Sequence, residues 1–219
     1  MSIISPLPPY LIKRYQNWKA SGYIKNKSLL ENLADYGQNP KAMVISCCDS
    51  RVHVTSIFGA ETGEFFIHRN IANIVPPYTP NKDYHGSSAA IEYAVKNLKV
   101  SHIIILGHSN CGGVKLCHDL CSNPVDTGAH ENEFLSQWVN ILKPGYEKID
   151  KTKTTAEQRR ALEKEGVLIS LNNLIGFPFV KKAIDSKELK IHGLWNDIRD
   201  GTVEYFDSQK NCFLPLIKD

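Results

Sequence analysis

His102-Ile103-Ile104-Ile105-Leu106, closed by Gly107, is the stretch on which the fold turns. A short apolar run of this kind reads as a buried strand. Upstream lies Ser87 to Leu98, where Ala90, Ile91, Ala94, Val95 and Leu98 share one helical face. Downstream, a further helix is expected to start near Cys111. Working outward, Ala42-Met43-Val44-Ile45-Ser46-Cys47 and Glu64-Phe65-Phe66-Ile67-His68-Arg69 read as two more strands. Helices are expected over Glu131–Leu142 and Thr155–Ile175. A last strand is expected over Leu189–Trp195, followed by a short extended Glu204-Tyr205-Phe206 segment. Asn123 to Ala129 carries Pro, Asp, Thr and Gly and reads as a loop. Strands alternating with helices predict an α/β fold: a central, mostly parallel β-sheet flanked by helices, with functional residues at the carboxyl ends of the strands.

Residues 1–36 are read as a projecting helical arm. Pro6, Pro8 and Pro9 open it, and Leu11, Ile12, Tyr15 and Trp18 then fall at helical spacing. An aromatic-rich amphipathic helix outside the core is expected to pack on a second subunit. Residues 37–219 form the α/β domain.

A chain of 219 residues suits one sizeable domain with its own core. Its 42% apolar and 22% charged content is ordinary for a soluble globular protein. The formal charge of +3 comes without any Lys/Arg block, so no nucleic-acid partner is expected. Apolar stretches such as Ile103–Leu106 are far too short to span a bilayer, and no membrane partner is expected. The N-terminus shows no basic stretch followed by an apolar run, so a cytoplasmic location is expected. There, six cysteines read as thiols or metal ligands rather than disulfides.

Two sequences sit just past strand ends: Cys47-Cys48-Asp49-Ser50-Arg51 and His108-Ser109-Asn110-Cys111-Gly112-Gly113. Together they offer thiolates and an imidazole, the donor set zinc favours in tetrahedral geometry. Three protein ligands would leave one position for water, as in a catalytic site. Either Cys47 or Cys48 can be the first ligand, because neighbouring residues on a strand point to opposite faces. Asp49 can bind the metal or accept a proton from its water. Arg51 can hold that carboxylate in a bidentate pair, ionised and off the metal. Gly112 and Gly113 let backbone come close, where an N–H can stabilise an oxyanion. Taken alone, His-x-x-Cys is a weak signal, and Asp-Ser-Arg reads equally as a turn with a surface ion pair. Both motifs together, each after its own strand, favour a site. Cys117 and Cys121, at i and i+4 with His118 between them, offer a second metal site but read rather as small buried or surface thiols, and Arg69 reads as a charge at a strand end.

These residues resemble the β-class carbonic anhydrases, whose signatures are Cys-x-Asp-Ser-Arg and His-x-x-Cys. The resemblance runs from about Gln38 to Asp200. It includes Arg69-Asn70-Ile71-Ala72-Asn73, Ala90 to Val95, Gly107 to Gly113, Val167 to Leu174 and His192-Gly193. It implies zinc held by Cys47, His108 and Cys111, with an Asp49–Arg51 dyad. The implied activity is reversible hydration of carbon dioxide to bicarbonate and a proton, by attack of zinc-bound hydroxide. It also implies homodimers or larger assemblies in which the N-terminal helix embraces the neighbour. Pro76-Pro77-Tyr78, and Gln38 nine residues before the first Cys, resemble the plant-type group. That likeness implies Gln38 and the Gly112 backbone as contacts of substrate or bicarbonate. It implies Phe66, Ile71 and Tyr93 as the wall of an apolar carbon dioxide pocket. A bicarbonate-regulated group carries a Trp, an Arg and a Tyr; this chain has Val44 and Asn196 at the Trp and Tyr positions and keeps only Arg69, so a site without that switch is expected. Carbonyl sulfide or carbon disulfide hydrolysis on the same fold, and a non-catalytic zinc or thiol protein, are the rival readings.

Overall fold

A computed structural model describes residues 4–80, 85–123 and 133–217. The chain divides into two compact units, one ending at Gln38 and the other beginning at Asn39.

The first unit is helical. α1 (Pro9–Trp18) starts with proline in its first turn, where the missing N–H costs nothing. It continues through one wide π turn, Lys19–Tyr23, and α2 (Lys27–Tyr36) follows. Trp18 lies between Tyr15 and Tyr23, with ring centroids 6.1 and 5.7 Å apart. None of these helical residues is buried, and Trp18 itself is half exposed.

The second unit is built on a six-stranded sheet. Its strands are β1 (Ala42–Cys47), β2 (Phe65–Asn70), β3 (His102–His108), β4 (Lys190–Asn196), β5 (Val203–Asp207) and β6 (Cys212–Pro215). Their order is β2-β1-β3-β4-β5-β6. The first four run parallel, while β5 and β6 are antiparallel additions at one edge. All six residues of β1 are buried, as expected of a parallel strand covered on both faces. Its side chains alternate between two cores. Met43 and Ile45 join Ile103 and Ile105 in one, and Val44 joins Leu106 in the other. Each fully buried isoleucine contributes about 1.5–3 kcal/mol.

The helices of this unit are α3 (Val54–Phe58), α4 (Gly86–Glu92), α5 (Gly112–Ser122), α6 (Glu133–Val139), α7 (Lys143–Lys148), α8 (Thr155–Ile175) and α9 (Pro178–Asp185). α8 begins in a capping box: Thr154 accepts from the Glu157 amide, and Glu157 accepts from the Thr154 amide. Its inner face then lies on β3 and β4. A Cβ at Gly193 would come within 2.9 Å of both Val167 Cγ1 and Leu171 Cδ1, so the absence of a side chain there sets how closely the helix approaches.

The architecture is the one expected, with local differences. The helix expected over 87–98 is α4 followed by a π turn, Tyr93–Asn97. The helix expected to end at Leu142 passes through a 3₁₀ turn, Asn140–Leu142, into α7, with Pro144 in its first turn. α3, α9 and β6 were not foreseen. Pro178 opens α9 as an N1 proline does, and Pro215 ends β6 at the sheet edge. The loop expected over 123–129, and the first two residues of the helix expected from Glu131, lie outside the described residues beyond Asn123. Gly193→Ala is expected to lower stability by about 1–3 kcal/mol through overpacking against α8. A urea midpoint equal to wild type would show that the helix is free to retreat.

Candidate metal centre

β1 and β3 are neighbours in register, with Ser46 opposite Leu106. One residue further along each path, Cys47 and Gly107 stand level, and His108 and Cys111 follow. The ligand-type atoms of Cys47, His108 and Cys111 all lie within 4.8 Å of one another, and all three residues are buried. The two sulfurs are 4.0 Å apart. Cys48 points away and is exposed. The structure thus chooses between two cysteines that the residues alone left open, and for the reason given: their side chains alternate across the strand.

The imidazole is oriented for ligation. His108 Nδ1 is 2.9 Å from the Ser109 carbonyl oxygen, which can only accept, so Nδ1 carries the proton. Nε2 is then a bare lone pair, buried and without any hydrogen-bond partner. A buried polar atom without a partner is costly unless something meets it. Here it faces two sulfurs. Two cysteine sulfurs and this one ring nitrogen are three donors of the types zinc favours, and among the described residues they form a three-ligand set of the kind found in catalytic sites.

The charge state of the sulfurs follows from their proximity. The Cys111 thiol hydrogen-bonds to Cys47, and with two backbone amides it holds the Cys47 thiol well below its usual range against the opposing effect of burial. The Ala72 amide is one of those donors, at 3.3 Å from the sulfur. The same shared proton, together with burial, pushes the Cys111 thiol up. Ala72 donates from the left-handed region, φ 60°, an uncommon conformation for a side chain with a Cβ. The Trp138 indole holds the neighbouring Ile71 carbonyl at 2.8 Å. A Cβ at Gly113 would lie 2.6 Å from Ile71 Cγ2, so only glycine allows α5 to start this close to that segment.

Asp49 and Arg51 form the expected fork. Arg51 Nε donates to Oδ1 at 2.9 Å and Nη2 to Oδ2 at 2.7 Å, while the Arg51 amide adds a third bond to Oδ1. These contacts hold the Asp49 carboxyl well below the usual carboxylate range. Arg51 Nη2 also donates to the Asn110 carbonyl at 3.1 Å, tying the two motif loops together. Asn110 too is left-handed, φ 55°.

Phe66 and Tyr93 bring their rings to 5.8 Å, and Ile71 packs beside Gly113. Ile71 and Tyr93 keep an exposed side in the single chain. Gly112 is the first residue of α5, with open space where a side chain would stand. Gln38 is the exposed last residue of the first unit.

The supporting bonds of three residues, Arg69, Asp197 and Glu163, are not legible in the sequence. Arg69 is more than a strand-end charge: it donates to the carbonyls of Cys47, Asp49 and Val52 at 2.8, 2.7 and 2.9 Å, clamping the first motif loop. Asp197 accepts from the Ser109 hydroxyl at 3.0 Å and pairs with Arg160 at 2.5 Å. Glu163, 5% exposed, accepts from the Cys111 amide and the Trp195 indole. Glu163 had a signal available: it falls four residues before Val167, on the apolar face of a long helix, where an acid is out of place.

A model of the carbonic anhydrase family matches residues 42–203. The chain is 37% identical over 196 residues to beta carbonic anhydrase 3 of Arabidopsis thaliana, covering 88% of this chain and 74% of that one. Among solved structures it is similar to the β-carbonic anhydrase CcaA, with a TM-score of 0.82 and 28% identity over 94% of this chain and 98% of that one. It is also similar to a tetrameric β-carbonic anhydrase of the filamentous ascomycete Sordaria macrospora, with a TM-score of 0.74 and 31% identity over 94% and 97%.

Cys48→Ser is expected to keep one zinc per chain by elemental analysis, whereas Cys47→Ser and Cys111→Ser are expected to lose most of it. Zinc lost equally from Cys48→Ser would contradict the side-chain alternation.

Proposed function

This chain belongs to the β-class carbonic anhydrases, and we propose that Cys47, His108 and Cys111 hold its zinc, with Asp49 and Arg51 as the catalytic pair. The enzyme is a zinc lyase that reversibly hydrates carbon dioxide to bicarbonate and a proton. The observation that carries the assignment is the buried, unpartnered His108 Nε2 set against two sulfurs. Zinc in such a site supplies a hydroxide nucleophile at neutral pH by acidifying water.

The chain's own residues supply the rest. Asp49, gripped at both oxygens by Arg51, stays ionised and fixed in direction. Its remaining lone pairs accept the O–H of the attacking oxygen and so aim that oxygen's own lone pair at carbon. Arg51, tied to Asn110, keeps this carboxylate in line with the second motif loop. Phe66, Ile71 and Tyr93 offer an apolar wall suited to a substrate without charge or dipole. The Gly112 amide, at the positive end of α5, donates to the oxygen that gains charge.

We also read the site as lacking a bicarbonate switch. Val44 and Asn196 are buried at the positions the regulated group fills with Trp and Tyr, and the Arg69 guanidinium is committed to three carbonyls. We place the enzyme in the cytoplasm, in keeping with six free thiols, and assign it a homo-oligomeric state. The exposed aromatic face of α1 and the tetramer of the Sordaria relative support that state.

Asp49→Ala is expected to lower the hydration rate about 10²–10⁴-fold while retaining zinc, the range for loss of a positioned acid–base group. Wild-type turnover in stopped-flow hydration would remove Asp49 from the mechanism. Bicarbonate inhibition is expected to be hyperbolic, and a sigmoidal curve would contradict the absence of a switch.

A further inference from the structure

We propose that Glu163, on α8, is the positioning residue of the Cys111 ligand. The proposal rests on the zinc assignment above and extends it to a residue on a different element, 52 positions further along the chain.

Glu163 is 5% exposed, and an acid so buried requires partners. Its two oxygens are divided between two elements. Oε1 accepts from the Cys111 backbone N–H at 3.3 Å, and Oε2 accepts from the Trp195 indole N–H at 3.2 Å. Cys111 is the residue immediately before α5 and takes an extended conformation, φ −69° and ψ 121°. Its amide therefore lies outside the helical ladder, and a carboxylate from another element is what meets it. Trp195, on β4, is 1% exposed and stands level with Gly107, one residue before His108. One carboxylate thus spans from the strand beside His108 to the backbone of Cys111.

The same helix grips the other end of this loop one turn earlier. Arg160 pairs with Asp197, which accepts from the Ser109 hydroxyl. Arg160 and Lys164 both lie over the Trp195 ring, 4.9 and 4.7 Å from its centroid, and fix the indole that Glu163 meets. Both donors to Glu163 are N–H groups, so the acceptor must offer two oxygens. Glutamine is almost the same size but has one oxygen and one NH₂, and would set donor against donor at one of the two contacts. The carboxylate is therefore matched to its place by hydrogen-bond count, not only by volume.

Outer partners of metal ligands fix ligand direction, and their loss costs about 10–100-fold in metal affinity. The test uses the full-length protein, stripped of metal and titrated with zinc against a chromogenic chelator, together with cobalt substitution. Glu163→Gln is expected to bind zinc about 10–100-fold more weakly. Its cobalt form is expected to show an altered thiolate charge-transfer band. A purely packing role would lower the melting temperature of the metal-free protein but leave the cobalt spectrum unchanged. Wild-type zinc affinity together with a wild-type cobalt spectrum would overturn the proposal. Should Glu163→Gln yield no folded protein, Trp195→Phe carries the same test, since it removes one donor and keeps the carboxylate. Zinc binding weakened several-fold in that variant supports the proposal, and unchanged binding overturns it. If wild-type protein itself takes up no zinc, the zinc assignment fails instead, which is a separate result.

Discussion

β1 and β3 are hydrogen-bonded neighbours running in the same direction, with β3 reaching one residue past the end of β1. That parallel pairing delivers Cys47 and the His108–Cys111 loop to one point from positions about sixty residues apart in sequence. It survives because both faces of the pair are covered: Met43, Ile45, Ile103 and Ile105 pack on one side, and Val44 and Leu106 on the other. A slip of one residue would exchange those faces and turn Cys47 away from its partners while turning Cys48 in. The hydrophobic pattern and the metal centre are therefore set by one register.

Around that convergence lies a second layer made mostly of charged side chains bonded to backbone. Arg69 clamps the first loop through three carbonyls, Arg51 ties it to Asn110, and Glu163 and Asp197 hold the second loop from the side of α8. Two residues of this layer, Ala72 and Asn110, adopt left-handed backbone. Such conformations persist where the surroundings over-determine them, and here one aims an amide at Cys47 and the other a carbonyl at Arg51.

The fold was legible where periodicity is strong. β1 and α8 match the expected spans residue for residue, because a six-residue buried run and a long helix opened by a capping box and closed at Gly176 leave little choice. The short elements were not legible: α3 has five residues, and β6 has meaning only once β5 is there to pair with it. At the site, the donor types and the Asp49–Arg51 fork could be read from spacing, since the fork is local. The choice of Cys47 over Cys48 needed either the family likeness or the observed strand faces. The parts not read were those acting across the fold. Arg69 and Glu163 reach backbone groups on other elements, and a bond from a side chain to a distant carbonyl or amide leaves no pattern in the sequence, apart from the oddity of an acid on an apolar helical face.

The measurement that bears most directly on the convergence of the two loops is zinc K-edge X-ray absorption on the purified full-length protein. The account predicts a four-coordinate zinc with two sulfur ligands at about 2.3 Å, one imidazole nitrogen and one light, non-protein ligand. A shell with three or more sulfurs, or with a single sulfur, would contradict it.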